Sequence, residues 1–338
     1  MRNHSVRAGL LAVAVGVLLA AGAAPAGAVG SSHRYPAVVA GRGDTVHPEG
    51  ATWDAVHQRF LVGSMRHGTV SVVRPDGSTR TLVDDPQVLV SVIGLHVDPV
   101  RHRVLVANGD TGAGLRTRPS GPQRVAGVGA YDLETGRRLF YTDLAAVAGD
   151  GGRHLANDLA FGPDGTAYVT DSFAPVIYRV GPDGSGSVLV RDARLAAPEG
   201  AFGLNGIVRE GGVLVVAKYD DGTLWRVPLA APSRFARIPV AGAGEGRLVG
   251  LDGLQWRPGG GALLGLTNRL GGAGADARVE LRSADGWRTA RLTAVRPAVD
   301  IAPTVLTDGP GGSVYQLSGR LDLLFAGTPV DTFTLRRI

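Results

Sequence analysis

Residues 155–172, with the sequence LANDLAFGPDGTAYVTDS, contain the unit from which the chain is built. The unit consists of an apolar strand, a Gly-Pro-Asp-Gly turn and a second apolar strand, and the pair Asn157-Asp158 stands where the first strand begins. Aspartate and glycine suit such a tight turn because glycine adopts positive φ at little cost. The stretch therefore predicts a β-hairpin with two polar side chains at its entrance.

The same unit recurs about every 45–65 residues, which is the sequence signature of a repeat architecture. Each copy begins with a residue that we call X, followed usually by glycine and then by alternating apolar residues. The X positions are Glu49, Ile93, Asn157, Asn205, Asp252 and, in a looser match, Ala302. A second apolar strand follows each copy, and a third follows that one, over residues 320–326 in the last repeat.

Six repeats of four strands predict an all-β fold, a six-bladed β-propeller of four-stranded blades. A two-sheet sandwich is the alternative, but it gives no reason for six repeats in phase. The sequence does not decide which terminal segment closes the ring. Residues 35–40 are one candidate for the outer strand of the last blade, and residues 331–338 are the other.

Composition restricts the classes of function. The chain has 338 residues, 51 glycines and 20 prolines, and it has no cysteine, which excludes disulfides and thiolate sites. Its formal charge of +5 comes from scattered arginines, with Lys218 as the sole lysine. No basic stripe alternates with aromatic residues, so we expect no nucleic-acid partner.

The N-terminus resembles an export signal. Arg2 and Arg7 precede an apolar run over residues 8–24, and Ala26-Gly27-Ala28 has the small-residue pattern of a cleavage site. An uncleaved N-terminal anchor is the alternative. We predict a signal peptide over residues 1–28 and a propeller domain over residues 29–338. The mature protein is then secreted or extracytoplasmic, with no membrane contact after cleavage, and we expect it to be a monomer.

The X residues suggest a metal site. The first strand of a propeller blade lies beside the central channel, so residues that start these strands ring one mouth of it. Glu49, Asn157, Asn205 and Asp252 supply carboxylate and amide oxygens, which Ca²⁺ prefers, whereas Zn²⁺ prefers His and Cys. Such residues also serve simply as turn formers before a strand. Four in register nevertheless predict a divalent cation, with Ca²⁺ as the expected cofactor.

Strand direction places further candidates at the same mouth. The loops after the second strands, residues 109–128 and 269–277, are expected on the metal side, where substrate binds. We predict substrate contacts from residues that end second strands or lie in the channel, namely Asn108, Asp171, Lys218, Asn268 and His96. His47, His96 and His154 are candidate general bases because imidazole titrates near neutral pH. Asp158 is a candidate for support of the site or for a turn cap.

The ordered set of motifs resembles the gluconolactonase and regucalcin (senescence marker protein) family of the calcium-dependent phosphotriesterase superfamily. It covers residues 47–317 and rests on the following segments: His47-Pro48-Glu49-Gly50, Asn157-Asp158 with residues 168–172, residues 204–207, and Asp252-Gly253-Leu254. The resemblance implies a six-bladed propeller that holds a catalytic divalent ion, usually calcium.

The resemblance also implies roles for single residues. Glu49, Asn205 and Asp252 match metal ligands of the family, and Asn157 matches a ligand in the phosphatase branch or a substrate contact in the lactonase branch. Sugar-lactone members carry arginine two residues before the Asn-Asp pair, where this chain has Leu155. That departure argues against a sugar-lactone substrate.

The sequence therefore predicts a calcium-dependent hydrolase of a lactone or related ester, with a small molecule as its partner. Asp252 is the predicted general base or nucleophile and Glu49 anchors the ion, while a histidine remains an alternative base. Two other hypotheses stay open. One is a non-catalytic propeller with a structural metal, which binds a ligand or protein on its loops. The other is a sugar dehydrogenase propeller with a redox cofactor.

Overall fold

The computed structural model describes Met1 and residues 35–118, 122–244 and 246–338. The predicted signal peptide, residues 1–28, falls almost wholly outside the described residues. None of the described helices has the length and apolar composition needed to cross a membrane.

The described chain is built from 25 strands and two short α-helices. In chain order the strands are β1 (Val38–Arg42), β2 (Pro48–Asp54), β3 (Arg59–Ser64), β4 (Thr69–Val73), β5 (Thr79–Asp84), β6 (Ser91–Asp98), β7 (Arg103–Gly109), β8 (Ala126–Asp132), β9 (Arg138–Asp143), β10 (Ala156–Phe161), β11 (Ala167–Asp171), β12 (Val176–Val180), β13 (Gly186–Arg191), β14 (Leu204–Glu210), β15 (Val213–Lys218), β16 (Leu224–Pro228), β17 (Ala236–Ile238), β18 (Val240–Ala241), β19 (Leu251–Trp256), β20 (Leu263–Thr267), β21 (Ala277–Arg282), β22 (Ala290–Pro297), β23 (Pro303–Asp308), β24 (Val314–Ser318) and β25 (Thr332–Arg337). The α-helices are α1 (Leu144–Ala148) and α2 (Leu321–Phe325), and 3₁₀ turns span Ala193–Leu195, Pro232–Arg234 and Pro310–Gly312.

The strands form six antiparallel sheets, which confirms the predicted six-bladed propeller. Strands β2–β5, β6–β9, β10–β13, β14–β17 and β19–β22 are blades I to V, each in sequence order. Blade V also gains the two-residue strand β18, which pairs parallel with β22. The innermost strands of neighbouring blades pack side by side in a closed cycle. This radial repetition leaves only short strand edges, which are protected beside the channel.

Blade VI combines both ends of the chain. Its order from inside to outside is β23, β24, β25 and β1, so each of the two terminal segments considered for closure contributes a strand. The third strand predicted over residues 320–326 is wrong, because this segment forms helix α2. Leu321 and Leu324, three residues apart, lie on one helical face and pack against Met65 and Ile93. Tertiary burial of that face outweighs the strand pattern.

Clusters of buried apolar side chains join the blades. Among the described residues, five of the six blade junctions each hold a cluster of eleven to thirteen buried residues. The junction between blades V and VI holds four, namely Leu264, Leu266, Leu306 and Val314. This junction is therefore the one with the smallest apolar core.

Every innermost strand carries a β-bulge near its start. The register shifts between Pro48 and Gly50 in blade I, between Ala156 and Leu159 in blade III, and at the same point in the other four blades. A bulge re-aims the inserted side chain, and here the bulged residue is X. In blade VI the bulge spans Thr304 and Val305, so X is Thr304, and the alignment on Ala302 was wrong by two residues.

The glycine after X is required by the close approach of neighbouring blades. A Cβ atom at Gly50, Gly206 or Gly253 would lie closer than 3.0 Å to the carbonyl oxygen of the X residue in the next blade. Blade VI has Thr304-Val305 instead, and the Thr304 hydroxyl donates to the Glu49 carbonyl oxygen at 2.6 Å. Small residues or specific hydrogen bonds thus bring the inner strands together.

We expect Gly206→Ala to destabilise the propeller, because its Cβ would overlap the backbone oxygen of Asp252. Overpacking of this kind costs about 1–3 kcal/mol, which corresponds to a fall of several degrees in Tm. The matched control is Gly212→Ala, where no atom lies within 4 Å of the added Cβ. Equal Tm values for the two variants in thermal unfolding would contradict the close-approach argument.

Candidate functional site

The four predicted metal ligands lie together. Glu49, Asn157, Asn205 and Asp252 line one pocket at the mouth of the channel, and Thr304 and Ile93 complete the ring of X residues. The four polar side chains are 4–8% exposed. The cavity measures about 40 Å³. Because one water occupies about 10–15 Å³ on this measure, the cavity has room for an ion with one or two waters.

Glu49 is a buried carboxylate without a compensating charge. Among the described residues no donor forms a hydrogen bond with its side chain, and no cationic side chain lines the pocket. Burial, followed by repulsion from Asp252 and Asp158, raises the pKa of Glu49 well above its usual range. A carboxyl group in such a place is either protonated or paired with a cation, and the second state is the one expected of a metal ligand.

Asp252 is held by a short relay of hydrogen bonds. The Asn268 Nδ2 donates to Asp252 Oδ2 at 2.6 Å and to the Pro303 carbonyl oxygen at 2.9 Å. The Tyr219 hydroxyl donates to Asn268 Oδ1 at 2.5 Å, which fixes the amide orientation. Burial raises the pKa of Asp252 to about 7, although the Asn268 amide opposes the shift. Asn268 therefore positions the carboxylate, and a hydrogen bond from the Asn205 side chain lowers its pKa in the same direction.

Asn157 is oriented by a neighbouring hydroxyl. Its Nδ2 donates to Ser172 Oγ at 2.9 Å, and Ser172 Oγ in turn donates to the Leu204 carbonyl oxygen at 2.7 Å. With its nitrogen occupied, the amide presents its carbonyl oxygen to the pocket. Asn157 is thus held as an oxygen donor.

None of the five predicted substrate contacts lines the pocket, and this includes Asn268 and His96. Asn108 binds the Val90 amide and the Val88 carbonyl, and Lys218 pairs with Asp220 and Asp221 at 2.5 and 3.0 Å. Asp171 accepts hydrogen bonds from three backbone amides, from Tyr178 and from His154. These side chains hold loops at the mouth of the channel.

Strand alternation explains this placement. Asn108, Asp171 and Lys218 pair across strands with Val92, Ala156 and Leu204, which are core residues between blades. Cross-strand partners share a face, so these three point between the blades. In four of the six blades the next residue turns toward the site, where it either lines the pocket or hydrogen-bonds to a pocket residue. Met65, Ser172, Tyr219 and Asn268 occupy that position, and the period-two alternation was the signal that would have found the first three.

The three candidate histidines do not line the pocket. His47 Nδ1 contacts the Gly319 carbonyl oxygen at 2.9 Å and its Nε2 accepts from the Val330 amide, so it joins blade I to blade VI. His96 lies further down the channel, 3.1 Å from Asp158 Oδ1. Asp158 also accepts from the Leu159 and Ile207 amides, which assigns it a bridging role between blades III and IV.

An apolar cover closes the outer side of the pocket. Leu321 and Phe325 of helix α2 lie over it, together with Phe202 and Leu270 from neighbouring loops. Residues 109–128 and 269–277, the loops predicted over the mouth, contribute Thr111 and Leu270. Leu155 also lines the pocket, so the position of the family's arginine is apolar here. The sequence pattern missed this cover because α2 was assigned to a strand.

The oxygen atoms of the four polar side chains suit a hard cation, although only two of these side chains are acidic. Within the described ranges no group of three or more His, Cys, Asp or Glu side chains is arranged to hold a metal ion. The pocket instead combines two carboxylates with two amides. Two carboxylates neutralise a divalent ion, amide oxygens add ligands without further charge, and water completes a calcium shell of six to eight oxygens.

The fold is similar to that of a solved allergen. The crystal structure of the major Malassezia sympodialis allergen Mala s 1 matches with a TM-score of 0.70 over 89% of this chain and 96% of that chain, at 17% sequence identity. A nidogen–laminin complex matches with a TM-score of 0.40, 19% identity and coverage of 55% and 60%, which is too low to support an argument. No family model matches the sequence, and no curated protein matches it.

The comparisons therefore support the propeller fold. At 17% identity the similarity to Mala s 1 carries no information about activity. The resemblance to gluconolactonase and regucalcin stays a prediction that rests on the residues themselves.

His154 generates a pH-dependent prediction. Its Nδ1 lies 2.7 Å from Asp171 Oδ2 and its Nε2 lies 2.9 Å from Asp150 Oδ1. Burial lowers the pKa of His154, but the two carboxylates outweigh burial and the net shift is upward. Folding is therefore favoured by the protonated form, and this stability is lost as pH rises through the folded-state pKa.

We expect His154→Gln to lower Tm more at pH 6 than at pH 9, because only the charged imidazole binds both carboxylates. The control is His102→Gln at an exposed position, which measures the general effect of replacing a histidine by glutamine. A constant difference between natural protein and His154→Gln across this range would contradict the assignment.

Proposed function

We propose that the protein is an exported, calcium-dependent hydrolase of a lactone or related ester, acting as a monomer on a small molecule. The observation that supports this proposal is the convergence of Glu49, Asn157, Asn205 and Asp252 in one small buried pocket. Four bulges from four blades are needed to produce that convergence. The resemblance to calcium-dependent lactonases and phosphotriesterases gives the same four residues.

These four residues would hold the divalent ion through carboxylate and amide oxygens. When bound, the ion would supply Lewis-acid polarisation of a carbonyl and stabilise developing negative charge. Glu49 and Asp252 would balance its charge. The amides of Asn157 and Asn205 would add neutral ligands, and the Ser172 hydroxyl keeps the Asn157 oxygen turned inwards.

Asp252 is the side chain best placed to take a proton from water. The Asn268 amide binds its Oδ2, and the Asn205 amide of the pocket is a further hydrogen-bond partner. Asn268 and Tyr219 prevent the carboxylate from rotating, which keeps its Oδ1 at a fixed point. Histidine is the weaker alternative as base, because His47 and His154 are fully engaged elsewhere in the fold and His96 lies outside the pocket lining, beside Asp158.

The lining of the pocket favours a neutral substrate. No lysine, arginine or histidine is among the described residues that line it, so no lining side chain offers a positive charge to a substrate carboxylate. Leu155, Phe202, Leu321 and Phe325 instead offer apolar contacts. An uncharged lactone or aryl ester fits this lining better than a sugar acid derivative.

A second candidate is a non-catalytic propeller with a structural ion. The observation that favours it is the volume of the cavity beneath helix α2, about 40 Å³. This volume has room for an ion but little room for a substrate beside it. In this case the apolar cover would protect the ion, and the loops would bind a ligand or protein. Turnover measurements separate the two candidates.

The metal site is tested by calorimetric titration of Ca²⁺ into the chelator-treated protein. We expect saturable binding to the natural chain and loss of at least a hundredfold in affinity in Glu49→Gln/Asp252→Asn, because both charged ligands are removed. The control Glu134→Gln/Glu199→Gln removes the same charge from side chains that are 74% and 94% exposed. Absence of binding to the folded natural chain would reject the metal and the hydrolase together.

Catalysis is tested with a panel of neutral lactones, aryl esters and phosphotriesters. We expect calcium-dependent turnover, which falls by at least a hundredfold in Asp252→Asn at saturating Ca²⁺ because the proton acceptor is lost. Full turnover in Asp252→Asn with metal bound would reject Asp252 as the base. Calcium binding without turnover of any substrate would favour the non-catalytic candidate.

A further inference from the structure

A cationic groove lies on the side of the propeller between blades V and VI. It measures about 390 Å³, within the range of small-molecule sites. Arg257, Arg278 and Arg296 of blade V line one wall, and residues 312–314 with Ile338 line the other. Glu280 is the one acidic residue among its described lining residues. Three arginines therefore face Glu280 and the terminal carboxylate of Ile338, which leaves the lining net positive, and the groove is separate from the channel pocket.

The groove replaces an apolar junction. Leu266, Arg278 and Arg296 are cross-strand neighbours in β20, β21 and β22, so they follow one another outwards on the same face of blade V. Leu266 belongs to the four-residue core at this junction. Beyond it, where other junctions continue with apolar side chains, this one continues with two arginines.

The arginines lack enough carboxylate partners. Glu280 already accepts hydrogen bonds from Arg257 and from Arg282. Within the part of the chain that the structure describes, no carboxylate lies within 4.0 Å of Arg278 or Arg296. Like charges directly opposite each other across two strands are destabilising. Burial, then Arg296 and Arg257, lowers the pKa of Arg278, which reflects the same repulsion.

We propose that this groove binds a phosphate-bearing small molecule through Arg278, Arg296 and Arg257. Arginine binds phosphate through paired N–H donors, and a phosphate group would supply the negative charge that the facing pair Arg278 and Arg296 lacks. The aliphatic stems of the arginines, Leu264 and Val314 offer apolar contacts for the rest of the ligand. The proposal is independent of the channel site and of its metal.

The test uses the full mature chain and inorganic phosphate as the probe, at constant ionic strength in a phosphate-free buffer. We expect saturable binding and a phosphate-dependent rise in Tm, with acetate much weaker. In Arg278→Gln/Arg296→Gln we expect at least a tenfold loss of affinity. Without phosphate this variant should be no less stable than the natural chain, because it removes a repulsive pair.

Arg80→Gln is the matched control, since Arg80 is an exposed arginine on blade I whose guanidinium binds the Thr81 carbonyl oxygen. It should retain the affinity of the natural chain. Equal effects of phosphate on the natural chain and on Arg278→Gln/Arg296→Gln would overturn the proposal. So would binding that disappears in Arg80→Gln as well, since that would indicate a general salt effect.

The source of the phosphate group is distinguished by two further ligands. Glycerol phosphate represents a free metabolite, and phosphatidylcholine vesicles with a tenth of phosphatidic acid represent a lipid headgroup. We expect Arg278→Gln/Arg296→Gln-sensitive binding of glycerol phosphate. Binding to the vesicles alone would overturn the assignment to a soluble small molecule.

Discussion

The close approach of the six innermost strands is the constraint on which the rest of the structure depends. At the mouth of the channel the bulge of one blade packs against the carbonyl oxygen of X in the next blade. There is no space for a side chain at Gly50, Gly206 or Gly253. Between blades VI and I, the Thr304 hydroxyl instead donates a hydrogen bond to the Glu49 carbonyl oxygen. The same bulge turns each X side chain inwards, so closure of the ring and assembly of the pocket have one cause.

This shared cause explains how much of the site was predictable. Because the glycine is required for packing, the X-Gly pattern marks the bulge in the sequence, and Glu49, Asn205 and Asp252 were located by it. The pattern fails in blade VI, where Thr304-Val305 solves the same packing problem without glycine. The X position of that blade was therefore assigned to Ala302, two residues before Thr304. A contact that does not use glycine cannot be recognised by a pattern that requires glycine.

The residues that orient the pocket side chains were harder to predict from the sequence, for a different reason. The prediction chose the polar residues that end the second strands, namely Asn108, Asp171 and Lys218. Side chains alternate between the two faces of a strand, however, and this alternation decides which residue faces the channel. Ser172 and Tyr219 follow these ends by one residue and carry the relevant hydroxyls. Helix α2 was missed because five residues are too few for a periodic pattern, and its burial depends on Met65 and Ile93, which are distant in sequence.

The pocket and the junction between blades V and VI share one physical property: each holds like charges that the described fold does not neutralise. At the pocket the charges are carboxylates, and burial raises the pKa values of Glu49 and Asp252. At the junction they are arginines on neighbouring strands. By contrast, the buried Arg103 and Asp98 side chains form an ion pair at 3.0 Å. A ligand of opposite charge that binds only the folded state would stabilise it in proportion to its affinity. Binding and folding are therefore expected to be coupled at both places, with a cation in the channel and an anion at the outer groove.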